Sequence, residues 1–364
     1  MVQFLLNAGP GWQRRLRGGF CALLILLNTQ WASAGSKSQT SIQVPALELE
    51  GGRKLLFEGA FGSESDVRGK PGFWKRLGNF VAGQGQTHTL VRPYGVVTDS
   101  RGRIIVSDPG ASGVHVFDFS QHKYKFIERT KERDGLHAPQ CVAVDAADNI
   151  YISDSDSGKI FVFNPEGKFH RVIGSLKGGE GYFKRPTGIA VDSGAQRIYI
   201  TDTLRNKIFI LDMMGSVLET IGKSGDGHGE FNFPTELRLR GEDLIVVDAM
   251  NFRIQLLDRS GNFRSQIGRM GDERGGFFRP KGLGVDSEGH IYIVEGLSGM
   301  VQVFDHEGHL LYYFGERGAG PWQFQLPAGL FIDRADRVFV VDSYNRRIQI
   351  FRYFGVRGSG RGEP

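Results

Sequence analysis

From Arg53 to about Phe354 the chain alternates apolar and polar residues in runs of about five, the two-residue period of β-strands. Pro93, Pro139, Pro186, Pro234, Pro280 and Pro327 recur at spacings of 46, 47, 48, 46 and 47 residues. Each opens a first strand: "RPYGVVTD", "APQCVAVD", "RPTGIAVD", "FPTELRLR", "RPKGLGVD" and "LPAGLFID". A second strand ends on an acid, as in "RIIVSD", "NIYISD" and "RIYITD", a third follows a polar turn, and a fourth ends on glycine, as in "FHRVIG" and "VLETIG". Four short strands with their turns fill a period in the forties, and such a unit cannot bury both of its faces alone. The pattern predicts an all-β, six-bladed β-propeller of four-stranded blades. The sixth unit stops after its third strand, whereas "RKLLFEGAFG" before the first proline reads as an orphan fourth strand. The N-terminal strand is therefore expected to complete the last blade and close the ring, leaving no unpaired edge.

The proline-opened first strand, the "I-Y-I-x-D" second strand and the "D-x-x-N-x-R-I" step into the third resemble NHL repeats over residues 53–355. The resemblance implies a six-bladed propeller used mainly for binding: RNA or protein in cytoplasmic members, an extracellular sensor domain in certain bacterial receptor kinases, and occasionally an enzyme.

Composition agrees with short strands and tight turns, since 52 glycines in 364 residues are too many for a mainly helical chain. The first residues carry Arg14, Arg15 and Arg17, an apolar run from Phe20 to Leu27, and Ala32-Ser33-Ala34, which together read as a signal peptide over residues 1–34. That run is well short of the roughly 18 to 20 residues that span a bilayer. Without the three leader arginines the 45 basic side chains become 42 against 40 acidic, so polyanion binding gains no support from net charge. Cys21 leaves with the leader and Cys141 then stands alone, with no intrachain disulfide. The expected layout is a linker over 35–52, the propeller over 53–355 with an insert at 63–91, and a tail over 356–364.

The acids that close the second strands, Asp108, Asp154, Asp202, Asp248, Glu295 and Asp342, occur in every blade. They are read as caps on the following turn, which is architecture. Phe183, Phe231, Phe277 and Phe324, with Leu90 and Leu136 in the same place, are read as repeated packing. Function is better sought where the repeat breaks. Glu236 and Cys141 replace the usual glycine two residues after the proline, and Arg238 shares a strand face with Glu236, so a pair near the central channel is expected. The turns after the acids vary freely, and Arg205, Asn206, Asn251, Arg253, Tyr344, Asn345 and Arg346, joined by Trp322 from a connection, are candidates for a recognition face. In the insert, Phe73, Trp74, Leu77 and Phe80 share one face at helical spacing. That helix either packs on the propeller or docks a partner or a membrane surface.

Nine histidines lie mostly in outer strands and turns, with no set converging on the axis as a metal-dependent enzyme requires. No catalytic residue, metal ligand or cofactor is assigned. The sequence reading is an exported scaffold, periplasmic or secreted, that binds a protein of the cell envelope or a small ligand and no nucleic acid. A metal-dependent lactonase- or lyase-like enzyme is the alternative.

Overall fold

Proline sits opposite acid where blades two to five begin. Pro139 pairs with Asp154, Pro186 with Asp202, Pro234 with Asp248 and Pro280 with Glu295, and just beyond each proline the ladder slips in register. Proline has no amide hydrogen, so it suits the first position of a strand that cannot use one. The slip removes the next residues from the regular alternation. This frame comes from a computed structural model of the chain, which describes residues 46–68, 87–128 and 135–355.

Five antiparallel sheets are built of four consecutive strands each, beginning at Val96, Pro139, Pro186, Pro234 and Pro280. The sixth combines Leu330–Ile332, Arg337–Asp342 and Arg347–Phe354 with the N-terminal strand Lys54–Phe61. The result is an all-β ring of six blades, a six-bladed β-propeller. Closure is antiparallel, with Lys54 opposite Phe354, Phe57 opposite Phe351 and Phe61 opposite Ile348. Leu47–Glu48 adds a short outer strand to the same sheet, pairing Leu47 with Leu55.

The core lies between blades rather than at one centre. Each of six apolar clusters draws on two adjacent blades, and the cluster joining blades six and one contains Phe61, Phe117, Phe339 and Ile348. Phe183, Phe231, Phe277 and Phe324 are 4 % exposed or less and form one repeated packing position. Each ring lies over the glycine that ends the preceding strand. At Gly174, Gly222, Gly268 and Gly315 a Cβ would strike the ring, and all four have φ between 77° and 92°. Glycine is thus required there twice, by space and by backbone.

Candidate functional site

The six second-strand acids are 4 % exposed or less. Their oxygens accept hydrogen bonds chiefly from the connection that leads into each proline. Asp202 accepts from the amides of Lys184 and Arg185 at 2.9 and 3.0 Å, and Glu295 from Phe278 and Arg279 at about 3.0 Å. Turn amides such as Ser157, 2.9 Å from Asp154, are a second set. Asp108 is held below the usual carboxylate range: burial pushes it up, but His115, 3.5 Å away, and hydrogen bonds from the amides of Val91 and Arg92 outweigh this.

In blades four and six the rest of the motif completes a clamp. Arg253 Nε donates to Asp248 at 2.9 Å, and its Nη2 donates to the carbonyls of Gly227 and Glu230 at 2.8 and 3.1 Å. Asn251 donates to Asp248 and to the Gly225 carbonyl, both at 2.8 Å. Blade six repeats this with Arg347 on Asp342 at 2.7 Å and on the carbonyls of Gly320 and Gln323 at 2.7 and 2.9 Å. Asn345 likewise donates to Asp342 and, at 2.8 Å, to the Gly318 carbonyl. The asparagine and arginine therefore fasten the connection to the second strand.

The expected recognition face is split by this geometry. Arg253 is 7 % exposed and bound on all three nitrogens, while Asn251 and Asn345 are half-buried in the same clamps. Their donors are taken up within the fold, so they present no free recognition groups. Asn206 accepts from the amide of Phe233 at 2.9 Å and occupies the left-handed turn position that Phe252 and Arg346 fill in later blades. Arg205 lies over the rings of Tyr182 and Phe209, at 5.2 and 5.6 Å. Trp322 is half-buried against Phe351, with ring centres 4.8 Å apart. Tyr344, 65 % exposed, and Arg346 reach solvent. Phe73, Trp74, Leu77 and Phe80 lie outside the described residues.

At the axis the unrepeated residues meet. Inner strands approach so closely that a Cβ on Gly188 would stand 2.9 Å from the Glu236 Cα. Cys141 of blade two donates its thiol hydrogen to Glu236 of blade four at 2.9 Å, and both are 3 % exposed or less. Burial and the neighbouring carboxylate push the thiol well above its ordinary pKa, which keeps it protonated and poorly nucleophilic. Arg238 donates to the other Glu236 oxygen at 2.5 Å and, through Nη2, to the Leu330 carbonyl of blade six at 3.1 Å. Blades two, four and six are thus braced across the channel.

Beyond this brace the channel widens into a well of about 920 Å³. Its wall carries Val97, Ala143, Ala190, Leu239 and Phe331, and Arg238 enters it from the brace. Arg238 Nε is buried with no hydrogen-bond partner among the described residues. The apolar residues share the lining with five aspartates, Asp99, Asp145, Asp148, Asp192 and Asp333, and with Arg259, Arg334 and Arg337, so the well suits a ligand that carries both apolar bulk and polar groups.

Sequence reasoning missed a second group, at the channel end nearest the prolines. Tyr94 of blade one lies beneath Lys281 of blade five, with Nζ 5.6 Å from the ring centre. Both follow a proline, at a position filled by Tyr94, Gln140, Thr187, Thr235, Lys281 and Ala328 in the six blades. That variability inside a strict repeat was the available signal.

A family model described as DUF5128, 6-bladed beta-propeller, matches residues 191–254, from the end of the first strand of blade three into the third strand of blade four. No curated protein matches the chain. Solved structures do. Virginiamycin B lyase from Staphylococcus aureus is 12% identical over 82% of this chain and 99% of its own, with a TM-score of 0.53. A streptogramin B lyase is 16% identical over 72% and 93%, at 0.54. An auxiliary nutrient binding protein from Bacteroides thetaiotaomicron is 15% identical over 72% and 69%, at 0.56. Identities this low establish the shared propeller fold and leave function to the site. Among the described residues, no three His, Cys, Asp or Glu side chains form a group that could hold a metal ion, and no helix is long and apolar enough to cross a membrane.

Proposed function

We propose that this chain is an exported, NHL-type propeller that works as a binding module, taking a small ligand with apolar bulk into the axial well. The observation that carries this reading is the well of about 920 Å³, where apolar inner-strand residues stand beside charged ones and Arg238 is fixed in place by Glu236. A preorganised cation loses little on binding, because its orientation is already set. The leader-like N-terminus supports a periplasmic or secreted location. The described nutrient-binding neighbour supports the use of this fold for ligand capture. Scaffolding of an envelope protein through the exposed turns around Tyr344 and Arg346 is compatible with the same architecture. The lyase neighbours favour an enzymatic alternative, and a reaction would then take place on the ligand held in the well.

Native mass spectrometry of the protein purified from its own cell envelope tests the reading. A bound small molecule is expected on the wild type and not on Ala190→Phe, which fills the wall. A wild type that carries nothing, or an adduct unaffected in a folded Ala190→Phe variant, would overturn it. Turnover of the recovered molecule by the wild type would move the assignment to the enzyme.

A further inference from the structure

Basic residues recur beside the prolines that open the first strands. The residue just before the proline is arginine in alternate blades, Arg92, Arg185 and Arg279, and apolar or small in the others, Ala138, Phe233 and Leu326. The backbone of each arginine is fixed by the buried acid of its own blade: Arg92 by Asp108 at 2.9 Å, Arg185 by Asp202 at 3.0 Å, Arg279 by Glu295 at 2.9 Å. Their side chains are exposed and make no ion pair among the described residues. Lys281, two residues after Arg279, is half-buried over the Tyr94 ring.

The nearby carboxylates are already engaged. Glu236 is held by Arg238 and Cys141, and Glu295 by the amides of Phe278, Arg279 and Leu297. Burial and the charge of Arg279 lower Lys281 to about 8, against a weaker upward pull from Glu295. Burial, with Cys141 and Glu236, pushes the Tyr94 hydroxyl well up, so it remains a proton donor, while Arg185 and Arg279 pull the other way. A half-buried lysine beside a like charge is stabilised when an anion joins it.

We propose that this end of the channel is an anion-binding site in which Lys281, Arg185 and Arg279 hold carboxylate or phosphoryl oxygens of a small ligand and the Tyr94 hydroxyl donates a further hydrogen bond. The proposal is independent of the ligand assigned to the well, none of whose lining residues it shares.

The test is calorimetric titration of the full-length protein with citrate and with inorganic phosphate at low ionic strength, where screening is weakest. Saturable one-to-one binding of either is expected, and the tighter of the two identifies the oxygen geometry the site prefers. Lys281→Met and the double variant Arg185→Gln with Arg279→Gln should each weaken it at least tenfold, while Lys168→Met on the outer rim should leave it unchanged. A second measurement needs no variant: acetylation of Lys281 by an uncharged active ester, followed by mass spectrometry, should slow at least fivefold when the anion is present. No binding of either anion, equal loss in the Lys168→Met control, or acetylation indifferent to the bound anion would each overturn the assignment.

Discussion

Arg253 and Lys281 are both basic side chains drawn out of bulk water, yet their surroundings are opposite. Arg253 finds a buried carboxylate at 2.9 Å, a glutamine at 3.1 Å and two carbonyls. Lys281 has an aromatic ring beneath it and a second cation nearby, and its pKa falls to about 8. The first belongs to a motif that blades four and six share, the second to a position that is lysine in one blade of the six. The repeated arginine is satisfied within the fold, whereas the unrepeated lysine has a ring and a like charge for neighbours.

The largest expected effect tests the ring itself. Removal of residues 44–61 should leave blade six an open sheet, with rapid hydrogen exchange across Arg337–Asp342 and Arg347–Phe354 while blades two to four stay protected. Uniform protection would show that Lys54–Phe61 is dispensable. Next, Arg253→Ala strands the buried Asp248 and should cost about 3 to 5 kcal/mol in chemical denaturation. A cost below about 1 kcal/mol would remove the contrast with Lys281. Glu236→Leu, which leaves Arg238 unpaired against the Leu330 carbonyl, should cost roughly 2 to 4 kcal/mol by the same reasoning.

A smaller effect follows from pH. Lys281 is near 8 in the folded chain against 10.5 for an ordinary lysine, so between these values the unfolded chain binds more protons. Stability attributable to this group therefore rises with pH across that window and is flat below it. Lys281→Met should flatten the rise and gain stability at pH 7. If the slope survives the substitution, another group causes it. Least of all, Tyr344→Ala, at a side chain 65 % exposed, should change stability by no more than about 0.5 kcal/mol.

The fold was legible because its cause is local and repeated. Proline spacing, strand alternation and the phenylalanine three residues before each of four prolines are properties of one blade copied along the chain. Ring closure was legible for a related reason, since a missing strand at one end matched an orphan at the other. The Glu236 and Arg238 pair was readable from their two-residue spacing, whereas the reach of Cys141 to Glu236 across blade three was not. The motif's arginine misled because its partners are carbonyls of a connection more than twenty residues upstream, visible only once that connection folds back. Tyr94 and Lys281 escaped for the strongest form of this reason: blades one and five come together only through the closed circle.

That circle also sets a clock. Glu58 and Arg352 face each other across the closing pair from positions 294 residues apart, so the strand synthesised first must wait for the strand synthesised last. Drawing such distant ends together costs about 5 kcal/mol of chain entropy before any contact forms. Until then the growing chain is an arc with bare hydrogen-bonding groups at one margin, open to pairing with another copy. The final strand of this protein therefore works as a latch, and the time needed to reach it is the interval in which the chain is most exposed to misassembly.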